Sequence, residues 1–593
     1  MTDMGLDAIL VLAVLVFLLV SLYFELIGTG FTFIIAVAVL GAFRILSPGE
    51  ILAGFANEQI AVIILLLLLG DVFQRTSILD IFFNRVFRKS KNHKNFITRL
   101  MFIVAPLSAF VNNTPLVALV MPYVHNWSSK NKVNASKLLM PLSFATILGG
   151  CATLIGTSTN LVVNGLVIEQ KITTALKPLQ IFDFASVGIP MIIIGGLYMI
   201  FIGDKLMPDR NPIQEIASNT RDYIFELQLK KGSEVIGQSR NTAPFLRNEG
   251  FMLVEVFREG FLYQQVGSGF VFQEDDILIF VGTKEAIADL VNADKHRIIP
   301  SVGMFSRRPK SEIVEIVISH KSTMIGKRLK NENFRGKFDA TVIAVHRNGE
   351  NLTGKIAQIT LRAGDTLLLL AGEEFKKLAD SSRDFYIISS LKEIRRLGIV
   401  RTATLVIGTP LIVVLNVLGI VKLFTGVLIL LIVAQLLKII KPKDIVQSLD
   451  YELALVIALS LALGTAMIKT GLADTIAHNM MNLFRPFGKF GLLAGIYIIT
   501  SLMAAFITNK AAVAIIFPIS LSIALQLGVN PLPFVLVVSF AAAANFMTPI
   551  GYQTNLMVYG PGNYKFKDFI RVGTPLTVIY MIVTILILSL QYL

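Results

Sequence analysis

The chain repeats its apolar pattern about 395 residues further on, and no other feature constrains the fold as tightly. Glu58, Gly70 and Asp80 recur as Glu452, Gly464 and Asp474, each 394 positions on, with long apolar runs between them. Asn113, nine residues before Pro122, recurs 396 positions on as Asn509, nine residues before Pro518. The run Ile155-Gly156-Thr157-Ser158-Thr159-Asn160 returns as Ile550-Gly551-Tyr552-Gln553-Thr554-Asn555. Two related membrane halves, each interrupted by polar residues at bilayer depth, are how secondary transporters build a substrate site.

Composition fits that architecture. With 54% hydrophobic and 16% charged residues, the chain has more apolar surface than a soluble core of its length could bury. Runs at 7–25, 30–47, 59–73, 183–203, 398–419, 422–440, 453–468 and 572–593 are long enough to cross a lipid bilayer as helices. Asp3 and Asp7 before the first run, and the lack of a small-residue cleavage site after it, argue against a removed signal peptide. The net charge of +14 sits in clusters that flank the spans, which is a topology signal and not a nucleic-acid footprint. Cys151 is the single cysteine, so no intramolecular disulfide or Cys metal cluster can form, and the six histidines lack ligand spacing. No phosphate-binding loop, nucleophile elbow or acid pair is present to drive an enzyme or an ATP-powered pump.

Charge placement orients the halves. The connection after the first Glu58-to-Asp80 span is rich in Arg and Lys, and residues 48–57 before it have none. In the second copy Lys438, Lys441 and Lys443 precede the span, and only Arg485 and Lys489 follow it before the next apolar run. Equivalent spans therefore run in opposite directions. The expected fold is an α-helical polytopic membrane protein of two inverted repeats, five spans each with one re-entrant hairpin per repeat, at residues 1–205 and 395–593. Both termini then lie outside the cell membrane and residues 206–394 lie in the cytoplasm.

That insert carries charge throughout, with apolar residues in short alternating runs. Ile224 to Leu229, Phe251 to Phe257, Asp276 to Val281, Ile313 to Ile318, Thr341 to His346 and Thr366 to Leu370 read as strands. Ile236-Gly237 matches Ile325-Gly326, Arg258-Glu259-Gly260 matches Arg347-Asn348-Gly349, and Asp276 matches Asp365, all at a spacing of 89. Two small α/β modules in tandem, 206–300 and 301–394, account for this, with Asp209 to Asp222 and Arg307-Arg308-Pro309-Lys310 as linkers.

The chemistry belongs where apolar runs break. Residues 97–125 are interrupted at Asn112-Asn113-Thr114-Pro115, with basic sequence on both sides, so a hairpin that enters and returns fits better than a crossing. Thr114 followed by Pro115 reads as a helix start with a capping hydroxyl, and Thr508-Asn509-Lys510 breaks residues 490–525 in the same way. Second breaks fall at Gly156 to Asn160, with Thr157 and Ser158, and at Gly551 to Asn555, with Tyr552 and Gln553. Glycine lets the backbone approach a ligand, while hydroxyls and amides supply neutral donors and acceptors. No carboxylate lies in the four breaks. Such a site prefers an anion at helix N-termini, with small hard cations held by oxygens. Lys510 needs a counter-charge at this depth: either the substrate supplies it, or the ammonium fills a pocket where sodium would otherwise sit.

The paired Asn-Thr hairpin tips, each followed about 46 residues later by a Gly-Thr-x-x-Asn type break, resemble the divalent anion:sodium symporter family over nearly all of residues 5–205 and 396–593. The resemblance implies a homodimer in the lipid bilayer that moves sulfate or di- and tricarboxylates with sodium by an elevator motion. The family's Ser-Asn-Thr signature reads here Asn112-Asn113-Thr114 and Thr508-Asn509-Lys510. By that similarity Asn113 and Asn509 sit between substrate and sodium, Thr114 and Lys510 face the substrate, Ser108 and Gly156 help a first sodium, and Gly551 helps a second. Lys510 departs from the signature, and Tyr552-Gln553 in place of small residues implies a changed pocket size. Residues 222–380 resemble a tandem of the RCK-type (TrkA-C) C-terminal domains of potassium-conductance regulators. Such domains dimerise and in some cases bind cyclic di-AMP, which implies either a nucleotide effector or a dimerisation block without ligand. Sulfate is the first expectation for the substrate, a dicarboxylate or tricarboxylate the second. A cation channel gated by the modules is the reading from a different class, and Gly551-Tyr552-Gln553 is not a potassium filter sequence.

Overall fold

A computed structural model describes residues 5–74 apart from 25 and 57, residues 83, 87 and 90, residues 92–210 apart from 171, 172, 174 and 175, and residues 399–593 apart from 440–450. Within the insert it describes 224–239, 242, 251–259, 261–263, 269–282 and 298–300, then 312–388 apart from 321, 333, 348, 349, 353–357, 373, 381 and 383. Residues 211–222 of the expected linker at 209–222, the expected linker at 307–310, and Asp80 lie outside the described residues.

Each of the eight apolar runs is a helix: Leu6–Tyr23, Thr29–Ala42, Glu58–Gln74, Ala185–Tyr198 with its continuation to Leu206, Ile399–Val417, Leu423–Leu436, Tyr451–Lys469 and Phe566–Tyr592. Among the described residues five helices are long and apolar enough to cross a membrane, or six if Ala454–Lys469 and Leu472–Phe484, bent by 73° at Thr470-Gly471, are one span. A predominantly helical, multi-pass membrane protein follows. The helices at the centre are Leu139–Gly150, with every residue buried, and Leu532–Ala543, buried from Pro533 onward. A helix that is apolar all round has no face to give to lipid or water, so the chain packs its other helices around these two.

Both interrupted runs are helix–break–helix. In the first, Ala105–Ser108 ends at a break and Asn113–Asn131 begins. In the second, Gly488–Phe506 and Asn509–Gln526 are separated by Ile507 and Thr508 and pack against each other. Pro122 and Pro518 lie inside the two returning helices at matched positions.

The insert forms two five-stranded antiparallel sheets of the same topology. The first contains β1 (Ile224–Leu229), β2 (Phe251–Arg258), β3 (Phe261–Tyr263), β4 (Ile277–Gly282) and β5 (Ile298–Pro300) in the order β3-β2-β4-β1-β5. The second contains β6 (Glu312–Ile318), β7 (Ala340–Arg347), β8 (Glu350–Asn351), β9 (Thr366–Ala371) and β10 (Phe385–Ile387) in the order β8-β7-β9-β6-β10. Local detail repeats as well. A bulge at Leu253/Glu255 returns at Val342/Ala344, and Gly237 N–H to the Phe272 carbonyl returns as Gly326 to Leu361. Arg258 grips buried Asp276 through Nε and a terminal nitrogen, both at 2.7 Å, and Arg347 grips Asp365 with the same two distances. A buried carboxylate needs such a bidentate partner, which explains why Arg-x-Gly and Asp share the 89-residue spacing. All six expected strands are present.

In the second sheet Val314, Ile316 and Ile318 face a core with Phe334, Phe338, Phe375 and Phe385. Glu315 and Val317 alternate with them and point the other way. Val317 and Ile388 are buried in the same core as the membrane helices, so this face of the sheet is docked. Burial pushes Glu315 up to about 7 and His346 down to about 4. Each shift favours the uncharged form.

Candidate functional site

The first tip is held from three sides. Ser108 is fully buried, and its hydroxyl has two acceptors in reach, Asn113 Oδ1 at 2.7 Å and the Thr146 carbonyl at 3.0 Å. Asn113 Nδ2 donates to the Tyr552 hydroxyl at 2.6 Å, and that hydroxyl lies 3.2 Å from Thr157 Oγ1. Thr114 Oγ1 donates to Gln553 Oε1 at 3.0 Å. The expectation that Thr114 caps the helix is therefore corrected. The helix starts at Asn113, its N-cap Asn112 makes no side-chain cap, and the Thr114 hydroxyl reaches across to the other half. Gly150 permits this packing, since a Cβ there would lie 2.6 Å from Asn113 Oδ1.

The two second breaks share one hydrogen-bond scheme. Thr153 Oγ1 donates to the Ala109 carbonyl, Gly156 N–H to Thr153 Oγ1 and Asn160 Nδ2 to the Thr153 carbonyl. Thr548 Oγ1 donates to the Ala505 carbonyl, Gly551 N–H to Thr548 Oγ1 and Asn555 Nδ2 to the Thr548 carbonyl. The remaining oxygens are matched crosswise: Ser143 Oγ donates to Asn555 Oδ1 at 2.7 Å, and Ser539 Oγ to Asn160 Oδ1 at 2.8 Å. Each broken stretch is thus completed by a serine from the other half. These backbone groups lie in the breaks or, for Ala505, in the last turn of a helix, and Thr and Asn side chains stand in for the missing helical partners.

The second tip differs from the first. Thr508 does cap its helix, accepting from the Ala511 N–H at 3.2 Å. Asn509 Oδ1 is buried and has no hydrogen-bond partner among the described residues. The same is true of Asn545 Oδ1, on the residue that stands where the first half has Gly150. Asn545 Nδ2 donates to the Ala504 carbonyl at 3.0 Å, and a Cβ on Gly551 would lie 2.8 Å from that same carbonyl oxygen. Lys510 is the second residue of the returning helix and is partly exposed.

The structure thus joins Asn113, Thr114, Thr157, Tyr552 and Gln553 by direct bonds, with Ser108 behind them. Ser158 and Gln553 open the helices Ser158–Glu169 and Gln553–Tyr559, so three helix N-termini, with Asn113, meet at the Tyr552 hydroxyl and Gln553. The Asn509–Gln526 helix packs along Ser158–Glu169. Sequence reasoning missed Ser143, Ser539, Thr153, Thr548 and Asn545. The signal was present for four of them, because Ser143/Ser539 and Thr153/Thr548 are identical residues at the repeat spacing. The cluster has hydroxyls, amides and helix N-termini and no acid among its residues, which suits an anion, and the amide oxygens of Asn509 and Asn545, unpartnered among the described residues, suit a hard cation.

Comparison with known proteins gives this geometry a family. A citrate transporter family model matches residues 13–417 and 404–592. The chain belongs to the citrate transporter family. An uncharacterized transporter of Synechocystis is 32% identical to it over 98% of this chain and 97% of its own length. Sodium/sulfate cotransporter 1 of Chlamydomonas reinhardtii is 23% identical over 94% of this chain and 87% of its own length. Human solute carrier family 13 member 4 is 27% identical over 26% of this chain. As a member of this transporter family, the protein is a carrier of solute and not an enzyme.

Proposed function

We propose that this citrate transporter family protein is a secondary carrier of a small divalent anion, sulfate first, coupled to sodium. The observation that carries the reading is the acid-free cluster around Tyr552, where three helix N-termini and neutral donors from both halves converge. In this reading a dianion there lies near helix N-termini, a charge at such a terminus being worth about 0.3–1 kcal/mol, with Lys510 supplying a full positive charge. Asn112, Asn113, Thr114, Thr157, Ser158, Thr508, Asn509, Lys510, Tyr552 and Gln553 are the proposed substrate residues. Tyr552 is 8% exposed and its ring fills the space beside Asn113 and Thr157, which favours a compact tetrahedral anion over a longer chain. The name of the 23% identical sodium/sulfate relative supports the same choice.

Sodium is placed at two oxygen sets in this proposal: Ser108, Asn113 and Gly156, and Asn509 and Gly551, with Asn545 added to the second by its unpartnered Oδ1. The halves 1–205 and 395–593 are taken as inverted repeats that form a homodimer and move by an elevator mechanism, and the crosswise serine bonds fit such a two-fold relation. Residues 206–300 and 301–394 are taken as cytoplasmic RCK-type domains that could receive a nucleotide such as cyclic di-AMP. A dicarboxylate or tricarboxylate is the second reading, favoured by the description of the matching family model. A cation channel is not proposed, because that model is one of transporters.

Uptake into proteoliposomes tests the proposal. Labelled sulfate is expected to accumulate against its gradient, saturably and only with inward sodium. Accumulation of succinate or citrate without sulfate would move the assignment to the second reading, and no accumulation of any of the three would overturn the carrier reading.

A further inference from the structure

The Gln553–Tyr559 helix presents site residues at one end, and its other end meets the insert. Gly560 follows this helix directly. A Cβ there would overlap Thr366 Oγ1 and lie 2.8 Å from the Gly364 carbonyl oxygen. The approach is reciprocal, since a Cβ on Gly364 would lie 2.8 Å from Leu556 Cδ1, and Gly364 has a φ of +82° that L side chains rarely adopt. The two segments come this close because neither glycine carries a side chain.

The turn that makes this contact is firmly built into its own module. Gly364 N–H donates to the Ile318 carbonyl at 3.0 Å, and Asp365 receives Arg347 on both carboxylate oxygens. Thr366 is 2% exposed. Beside it Val317 and Ile388 enter the membrane core, with Tyr386 packed against it. A second attachment lies a few residues further along the same segment. Arg210, where the chain leaves the first half, donates to the Asn563 carbonyl at 3.0 Å and to Asp568 at 2.7 Å. Residues 556–568 are therefore held by the insert and by the chain leading into it.

We propose that the 362–366 turn is a positioning element for the anion site, acting through Leu556 and Gly560 on Tyr552 and Gln553. The inference rests on the carrier reading above. A seven-residue helix is a rod of about 10 Å, so a shift at Gly560 is delivered to Tyr552 with little loss. Tyr552 and Gln553 hold Asn113, Thr157 and Thr114 by bonds of 2.6–3.2 Å, and a displacement of about 1 Å breaks them. Whatever moves the second module thereby changes the affinity for the anion. Linkage requires the converse, that the anion changes the docking of the turn by the same factor.

Full-length protein in proteoliposomes provides the test. Gly560→Leu is expected to raise the KM for labelled sulfate by about 5-fold or more, the lower end of usual coupling strengths. A purely structural fault would lower the number of working carriers, and so the maximal rate, without moving KM. A second variant guards against misfolding: Thr366→Cys in a Cys151→Ala background. Its maleimide labelling rate is expected to change about 5-fold between saturating sodium sulfate and sodium chloride of equal ionic strength, with succinate run in parallel. A wild type that accumulates neither anion sinks the carrier reading and this inference with it. A working wild type, beside a Gly560→Leu protein of unchanged KM or a Thr366→Cys protein whose labelling rate is indifferent to the transported anion, sinks this inference alone.

Discussion

At the first tip Asn113 uses both ends of its amide inside the protein, with Ser108 on the oxygen and Tyr552 on the nitrogen, and Thr114 is tied to Gln553. At the second, Asn509 leaves a buried oxygen without a donor among the described residues, Asn545 brings another, and Lys510 replaces the expected threonine. Related stretches of sequence have thus taken up different electrostatics. The first is closed by the other half, and at the second the two amide oxygens of Asn509 and Asn545 are left without donors among the described residues. A buried acceptor without a donor costs about 1–3 kcal/mol, a cost that a cation bound as proposed would offset.

Lys510→Thr tests the comparison most severely, because it restores the family signature at the second tip. A charge-assisted contact is worth about 1.5–3 kcal/mol, so sulfate affinity is expected to fall about 10- to 100-fold, with a steeper dependence of uptake on sodium. Unchanged affinity together with unchanged sodium dependence would mean that this lysine lies outside the site.

A pair of substitutions sharpens the contrast. Asn509→Ala is expected to raise the half-saturating sodium concentration about 10-fold while leaving thermal stability nearly intact, since its oxygen has no donor to lose among the described residues. Asn113→Ala is expected to cost about 1–3 kcal/mol of stability in detergent melts, because it removes both bonds that tie the first tip to Ser108 and Tyr552. If the two variants behave alike in both measurements, the asymmetry has no functional content.

Tyr552→Phe carries the smallest expected effect. It removes the acceptor of Asn113 and the partner of Thr157, and should raise the sulfate KM by about 3- to 10-fold without altering the sodium dependence. A shift in sodium dependence of similar size would mean that Tyr552 supports the proposed sodium set at Ser108, Asn113 and Gly156 and not the anion alone.

Much of this was legible in the chain itself, for identifiable reasons. Apolar runs and strand alternation are local signals, so eight helices and six strands stand where the pattern puts them. The pairing of Arg258 with Asp276 and of Arg347 with Asp365 could be anticipated from a repeated spacing, though not its bidentate geometry. The capping role of Thr114 failed because a hydroxyl takes the better-placed partner, and Gln553 lies 439 residues away. Ser143 and Ser539 went unread for a related cause: each is an ordinary buried serine until the other half is folded against it. Repeat spacing shows which residues correspond, but it does not show which ones meet.

The crosswise serines also bear on how the molecule is made. Asn160 must wait for Ser539, 379 residues downstream, before its side-chain Oδ1 receives this donor, and Ser143 waits 412 residues for Asn555. At ordinary ribosome speeds that is roughly 20 to 80 s during which the leading half is membrane-inserted yet incomplete. The intervening sheets can fold in that interval. The last polar bonds of the leading half therefore close only as the final helices arrive, which ties completion of the first part of the chain to synthesis of the last.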